Sequence, residues 1–325
     1  MSKYILFDNK DNYDFLLSDF DGVFYSPECK SKIVSWLNGA YMALKGTKRD
    51  DTIVCWYDFQ AVILFLLAKL FSRRNIICLN ILLKPKNTIK NKLVTFLYKS
   101  ALKSNNFNAT ISSCEYGSLL NKKFGRKFHY FLLNDVYHPY YEMKNLDEVV
   151  EPKSVFCGGR NGRDWNFLFS LASQMPDVTF VAVMPSDVYD DCKEKMKENV
   201  KVLVDVPYEV FVRSIKRSQI VLMPLDTDAP AGLIVLFQTI ANNKPFVISH
   251  TAATSAYMFN HNDFFLPNEV SQWKGKIYDI IDNYEIYCEK IKDLKKCVET
   301  ECNEQKFKTK IQEMIDETIN KSSHM

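Results

Sequence analysis

Two stretches in the second half of this 325-residue chain carry side chains that can grip an anion. The first, VFCGGRNGRDWNFLFSLA (155–172), runs from an apolar strand into Gly158-Gly159, a tight loop with Arg160 and Arg163, and then a helix. Glycine lets backbone approach a ligand closely, and arginine at the mouth of a parallel sheet offers a planar fork of donors that matches phosphate oxygens. A plain strand–helix turn with two solvated arginines is the alternative. The second stretch, MPLDTDAPAGLIVLFQTIANNKPFVIS (223–249), carries a strand out into Asp226 and Asp228 and opens a helix at Pro230-Ala231-Gly232. The first amides of that helix have no intrahelical partner, so its start is a ready anion site. Gln238, near the second turn, could bond a hydroxyl-rich ligand or pack at a helix seam.

A third stretch, DFLLSDFDGVFYSPE (14–28), resembles the opening motif of the haloacid dehalogenase phosphatases. That resemblance implies Asp19 as nucleophile and Asp21 as proton carrier. It also requires a later strand ending in paired acids to hold magnesium, because a phosphate dianion and a carboxylate nucleophile repel each other without a cation. Only QIVLMPLDTD ends in acids at the right place, and Asp190-Asp191 follows no strong strand. SDFDGV is therefore expected to end the first strand of an N-terminal domain, with its loop at the carboxyl edge of the sheet, where open α/β sheets bind ligands.

The elements that must position these residues alternate. Strands are expected at DFLLSDF, TIVCWY, NIICLNILL, ATISSC and FHYFLL, with helices near 30–45, 59–72, 88–103 and 115–124. The segment 139–153 interrupts this rhythm with proline at both ends and a patch of acids, which suits a linker. Alternation resumes through SVFCGG, VTFVAVM, VKVLVDV, QIVLMPL and PFVISH, and the chain beyond about 270 reads as charged helices. Short strands alternating with helices build mostly parallel sheets. The expected architecture is α/β, with Rossmann-like domains at 1–145 and 146–270 and a helical extension over 271–321.

Bulk properties narrow the function. Hydrophobic residues make up 47% and charged residues 25%, ordinary values for a globular protein. The 42 Lys+Arg against 39 Asp+Glu leave +3, too little to argue for a nucleic-acid partner. Nine scattered cysteines, mostly inside apolar runs and without a CxxC pair, suggest a reduced, cytoplasmic setting. The five histidines form no HExxH pattern, so no metal site is expected. The most apolar run, AVILFLLAKLF (61–71), is too short to span a bilayer.

The strand-GGR..RDW-helix unit, followed by AGLIVLFQTIANNKPFVIS, resembles the nucleotide-binding domain of GT-B glycosyltransferases, particularly the family-4-like group (group 1). The resemblance covers most of 154–268. It implies two doubly wound domains facing a cleft and transfer of a sugar from a nucleotide diphosphate sugar of UDP or GDP type, with no cofactor. The acceptor would be a saccharide or a lipid-linked saccharide, as in bacterial surface polysaccharide synthesis. Carried over by motif, Gly159, Arg160 and Arg163 meet the diphosphate, and Ala231, Gly232 and Leu233 supply amides. Gln238 stands at the position of the ribose-binding glutamate, and Pro207 and Tyr208 in DVPYEV meet the base. Pro230 replaces the first glutamate of the family's E-x7-E and Asn243 replaces a glycine, leaving Asp226 or Asp228 to face the sugar. Loss of turnover with binding retained, as in a partner subunit, is the non-enzymatic alternative.

Glycosyl transfer requires the acceptor hydroxyl to lose a proton, so an inverting enzyme needs a carboxylate or histidine within hydrogen-bond reach. Asp19, Asp21, Asp58, His129 and His138 are the candidates, with Asp21 and Asp58 favoured and Arg163 expected to stabilise the leaving group. Lys84, Lys86, Lys90, Lys92, Lys99 and Lys103 surround Leu93, Phe96 and Leu97. That helix is either a surface helix packed on the core or a peripheral contact with the inner face of a membrane.

Overall fold

The computed structural model describes residues 1–8, 14–71, 74–83 and 89–323. The chain divides into two compact units, Met1–Asp135 with Glu304–Met325, and Val136–Asn303.

The first unit opens with β1 (Lys3–Phe7), a four-residue helix α1 (Asp14–Leu17) and β2 (Gly22–Tyr25). It continues through α2 (Lys32–Gly46), β3 (Thr52–Cys55), α3 (Asp58–Phe71), β4 (Asn75–Cys78) and α4 (Ile89–Leu102). β5 (Phe107–Ile111), α5 (Cys114–Phe124) and β6 (Phe131–Leu132) complete a six-stranded parallel sheet of order β2-β1-β3-β4-β5-β6. β3 and β4 are buried at every position, as expected of strands covered on both faces. α5 is bounded locally: the Ser113 hydroxyl accepts from the Tyr116 amide, and Gly125 closes the helix at φ 62°.

The second unit runs β7 (Glu151–Gly158), α6 (Trp165–Ser173), β8 (Thr179–Met184), α7 (Ser186–Cys192), β9 (Val200–Val204) and α8 (Tyr208–Arg217). β10 (Ser218–Met223), α9 (Leu233–Ala241), β11 (Phe246–Ser249), β12 (Phe265–Leu266), α10 (Val270–Asp282) and α11 (Tyr284–Glu301) follow. Its parallel sheet has the order β12-β11-β10-β7-β8-β9. The last helix, α12 (Glu304–Ser323), returns to the first unit.

The structure departs from the sequence expectation in three places. DFLLSDF is not a strand: Asp14–Leu17 makes one helical turn, closed by Asp19 and Phe20 amides donating to Leu16 and Leu17 carbonyls. The strands are KYILF before it and GVFY after it. The units divide at 135/136, with the 139–142 turn inside the second unit, so 139–153 does not link them. The helical extension is split, α10 and α11 staying with the second unit while α12 joins the first. Lys84 and Lys86 lie outside the described residues, as does the Lys90 side chain.

Candidate functional site

In the second sheet the strand order reverses between β7 and β10, and the crevice at their carboxyl ends is where such sheets bind ligands. The two loops leaving those strands are stitched together there. The Asp164 amide donates to the Pro224 carbonyl (2.9 Å), the Asp226 amide to the Gly162 carbonyl (3.0 Å), and Arg163 forms a bridge with Leu225. Ser249 accepts the Leu225 amide at 2.6 Å, and Asn268 donates to the Leu225 carbonyl at 2.9 Å, fixing the second loop from β11 and beyond.

Arg163 sits at the centre of this knot and is only 5% exposed. Its Nε donates to the Gly158 carbonyl at 2.8 Å, while Nη1 is buried without a hydrogen-bond partner among the described residues. Among the described residues it has no ion pair, and burial pushes its guanidinium below the usual arginine range. Two glycines make room for it. A Cβ at Gly159 (φ 124°) would stand 3.0 Å from Nη2, and one at Gly232 (φ 76°) would stand 2.7 Å from Nη1. Gly232 is also the N-cap residue of α9, and having no side chain it leaves that helix's first turn without a side-chain cap of its own. An uncompensated buried cation therefore lies beside an open helix N-terminus, and both stabilise the same sign of ligand. Gly162 closes the loop over 226–231: a Cβ there would meet Thr227 at 2.7 Å and Ala231 at 3.0 Å.

The structure also joins Tyr208 and Gln238. The Gln238 Nε2 donates to the Tyr208 hydroxyl at 2.9 Å, while its Oε1 is buried without a partner among the described residues. Pro207 precedes α8 and turns the chain so that half-exposed Tyr208 opens the helix. Asp226 and Asp228 are exposed at the mouth, with the Asp228 carboxylate accepting from the Ala252 amide at 3.3 Å. Arg160, in the same loop, is exposed, 3.7 Å from exposed Asp187.

In the first unit the order reverses between β1 and β3. Asp58 opens α3 just beyond β3, and its carboxylate accepts from the Phe59 amide (2.7 Å), the Leu82 amide (2.8 Å) and the Tyr98 hydroxyl. Burial raises its carboxyl above the usual aspartate range, against the pull of those three bonds. Asp8, directly beyond β1, is a polar residue at this edge that sequence reading missed. It is buried, accepts from the Trp36 indole at 2.6 Å and pairs with Lys32. Reading KYILF as a strand would have exposed it, since Asp8 is the first residue past that run.

Asp21 lies at the other edge. Its amide donates to the Lys3 carbonyl at 2.8 Å and its carboxylate accepts the Lys3 amide at 2.8 Å, tying it to the amino-terminal ends of β1 and β2. Asp19 is beside it, 3.1 Å from Lys308 of α12. The pair is thus separated from Asp58 by the length of the strands, and the phosphatase-like arrangement, with Asp19 at the end of a strand, is not formed. His129 is exposed with its ring against Phe131, whereas His138 is buried and stacks on Tyr140. Among the described residues no group of three or more His, Cys, Asp or Glu side chains could hold a metal ion.

No protein-family model matches the chain, and no curated protein matches it in sequence. Solved structures do. HepE of Anabaena, solved in complex with UDP and glucose, superposes with a TM-score of 0.70 at 12% identity, covering 97% of this chain and 100% of that one. Sucrose-phosphate synthase of Thermosynechococcus elongatus gives 0.71 at 11% identity over 98% of this chain and 99% of its own. A UDP-forming α,α-trehalose-phosphate synthase of Burkholderia vietnamiensis gives 0.71 at 10% identity over 99% of each. Two parallel six-stranded sheets, each with its helices, in a chain of matching length establish the GT-B fold of these glycosyltransferases.

Proposed function

We propose that this chain is a glycosyltransferase that takes a sugar from a nucleotide diphosphate sugar and passes it to a saccharide or lipid-linked acceptor. The observation that carries the reading is Arg163, a buried guanidinium with an unpartnered Nη1 beside the open start of α9. A diphosphate satisfies both. Its charge grows as the glycosidic bond breaks, so a cation held there by Gly158 stabilises the transition state more than the ground state. The Arg163 guanidinium and the α9 amides can then offset the leaving group's charge without a bound metal. Ala231, Gly232 and Leu233 frame the diphosphate, and Gln238 offers its free Oε1 to a ribose hydroxyl with its amide held by Tyr208.

Asp58 is the proposed proton acceptor on the first unit, since its raised carboxyl sits at the ligand-binding edge of its sheet. The HepE structure holds UDP, which favours a uridine nucleotide as donor. Among the described residues no helix is long and apolar enough to cross a membrane, so a lipid-linked acceptor would be met at the bilayer surface, where Lys92, Lys99 and Lys103 of the α4 segment could lie. Binding of UDP, GDP and CMP measured by calorimetry tests the reading. UDP is expected to bind, and Arg163→Ala to abolish most of that affinity. Absence of binding by any nucleotide diphosphate would overturn it.

A further inference from the structure

The first unit carries an apolar surface that donor and acceptor chemistry do not use. Helix α2 buries Ser35, Gly39, Ala40, Ala43 and Leu44 against α3 and the sheet. Its opposite side exposes Ile33, Val34, Leu37, Tyr41 and Met42, each between 40% and 55% accessible. At 100° per residue these fall on one face, interrupted only by Asn38 and Lys45. A contiguous apolar face of this kind on a folded unit marks an interaction site.

Charge identifies the occupant. From Cys29 to Arg49 the sequence contains Lys30, Lys32, Lys45, Lys48 and Arg49 and not one acid; Lys32 pairs with Asp8 and Arg49 stands 3.8 Å from Asp50, so Lys30, Lys45 and Lys48 are the cations offered to a ligand. α4, which also packs on α3, repeats the combination: Leu93 and Phe96 are 59% and 66% exposed, Lys92 is exposed, and the helix has no acidic residue. The chain as a whole is nearly balanced at +3, so these two helices concentrate positive charge around exposed apolar side chains. We infer that the α2 face docks on an anionic lipid bilayer, with Ile33, Val34, Leu37, Tyr41 and Met42 entering the headgroup–acyl boundary and the flanking lysines meeting the headgroups. A protein partner of ordinary composition offers no reason for acids to be absent from both helices.

Sedimentation of the full chain with vesicles tests this. The chain should pellet with phosphatidylcholine vesicles containing phosphatidylglycerol, several-fold less with phosphatidylcholine alone, and less as salt screens the lysines. Leu37→Glu combined with Tyr41→Glu should abolish pelleting while leaving the melting temperature and UDP binding unchanged, since both side chains face solvent. Tyr41→Trp supplies a second readout: the emission it adds to that of the wild-type chain should shift to the blue with the anionic vesicles. A chain that stays in the supernatant, a double variant that pellets like wild type, or a Tyr41→Trp variant whose added emission does not shift would overturn the inference. So would a wild-type dimer that the double variant converts to monomer, because a second copy would then be the occupant. UDP binding is scored separately, so failure here is distinguishable from failure of the transferase reading.

Discussion

Among the described residues Arg163 has no acid to neutralise it, and an ion without a partner is expensive to bury unless a ligand supplies the missing charge. Its removal should therefore be cheap for the fold and costly for function. Arg163→Ala is expected to lower transfer by ~100-fold or more, the scale of one lost oxyanion donor, with no fall in melting temperature. Arg163→Lys should recover only part, since an ammonium cannot hold the Gly158 carbonyl and a phosphate with one planar fork. A folded alanine variant with near-normal turnover would show that the guanidinium is a structural plug. Gly232 supports the same group from the other side. Gly232→Ala forces a side chain to φ 76° and places its Cβ 2.7 Å from Nη1, so it should cost about 1–2 kcal/mol of stability and weaken UDP binding as well. Unfolding curves and calorimetry on one preparation separate the two effects.

Elements decide which of these residues could be read from sequence. In the second unit β7 and β10 end in the apolar runs VFC and IVLM, which lead into Gly158-Gly159 and Pro224, so GGR..RDW and AGLIVLFQ could be placed after strand ends with the right neighbours. The pairing of Tyr208 with Gln238 joins residues 30 apart and depends on how α8 and α9 pack, which no local pattern encodes. In the first unit, Phe15, Leu16 and Leu17 look strand-like, but Leu16 is buried as one turn of helix, and the pattern cannot say which three apolar residues will curl. That misplacement put Asp21 at the wrong edge of the sheet and hid Asp8. Asp135, which follows β6, was missed separately, because its bond from the Asn80 side chain at 3.1 Å joins two strand ends far apart in sequence. Burial raises the Asp135 carboxyl to about 6, so the folded state holds a proton that the unfolded chain has already released. Its contribution is most favourable below the unfolded value near 4 and is lost as pH rises through about 6. Asp135→Asn keeps an acceptor for Asn80 and removes the titration. It should therefore gain on wild type between pH 4 and pH 7, by up to ~2 kcal/mol once partial solvation is allowed for. Equal pH slopes in urea unfolding would contradict this.

At the scale of the whole molecule, the two units differ in how the chain closes them. The second is a single unbroken stretch, Val136–Asn303, whereas the first is completed only by α12 from the far end of the sequence. α12 lays Phe307, Ile311, Met314 and Ile315 into the first unit, where Phe307 meets the rings of Phe15 and Trp56. Polar ties accompany it: Thr318 accepts from Asn108 at 3.0 Å and Gln312 from Lys3 at 2.5 Å. Four buried apolar side chains at ~1.5–3 kcal/mol each amount to about 6–12 kcal/mol, as much as the net stability of a typical domain. Ending the chain at Asn303 should therefore unfold the first unit and leave the second folded. Because the buried Arg163 and the start of α9 both belong to the second unit, residues 136–303 alone should still bind UDP with near-unchanged affinity. Hydrogen exchange in the full-length protein gives the matching result: UDP should slow exchange in the 158–163 loop and the first turn of α9, and leave β1 to β6 unaltered. Protection spread evenly over both sheets, or loss of UDP binding in a folded 136–303 fragment, would mean that the nucleotide needs residues of the first unit, and that Arg163 and the α9 amides are only part of its site.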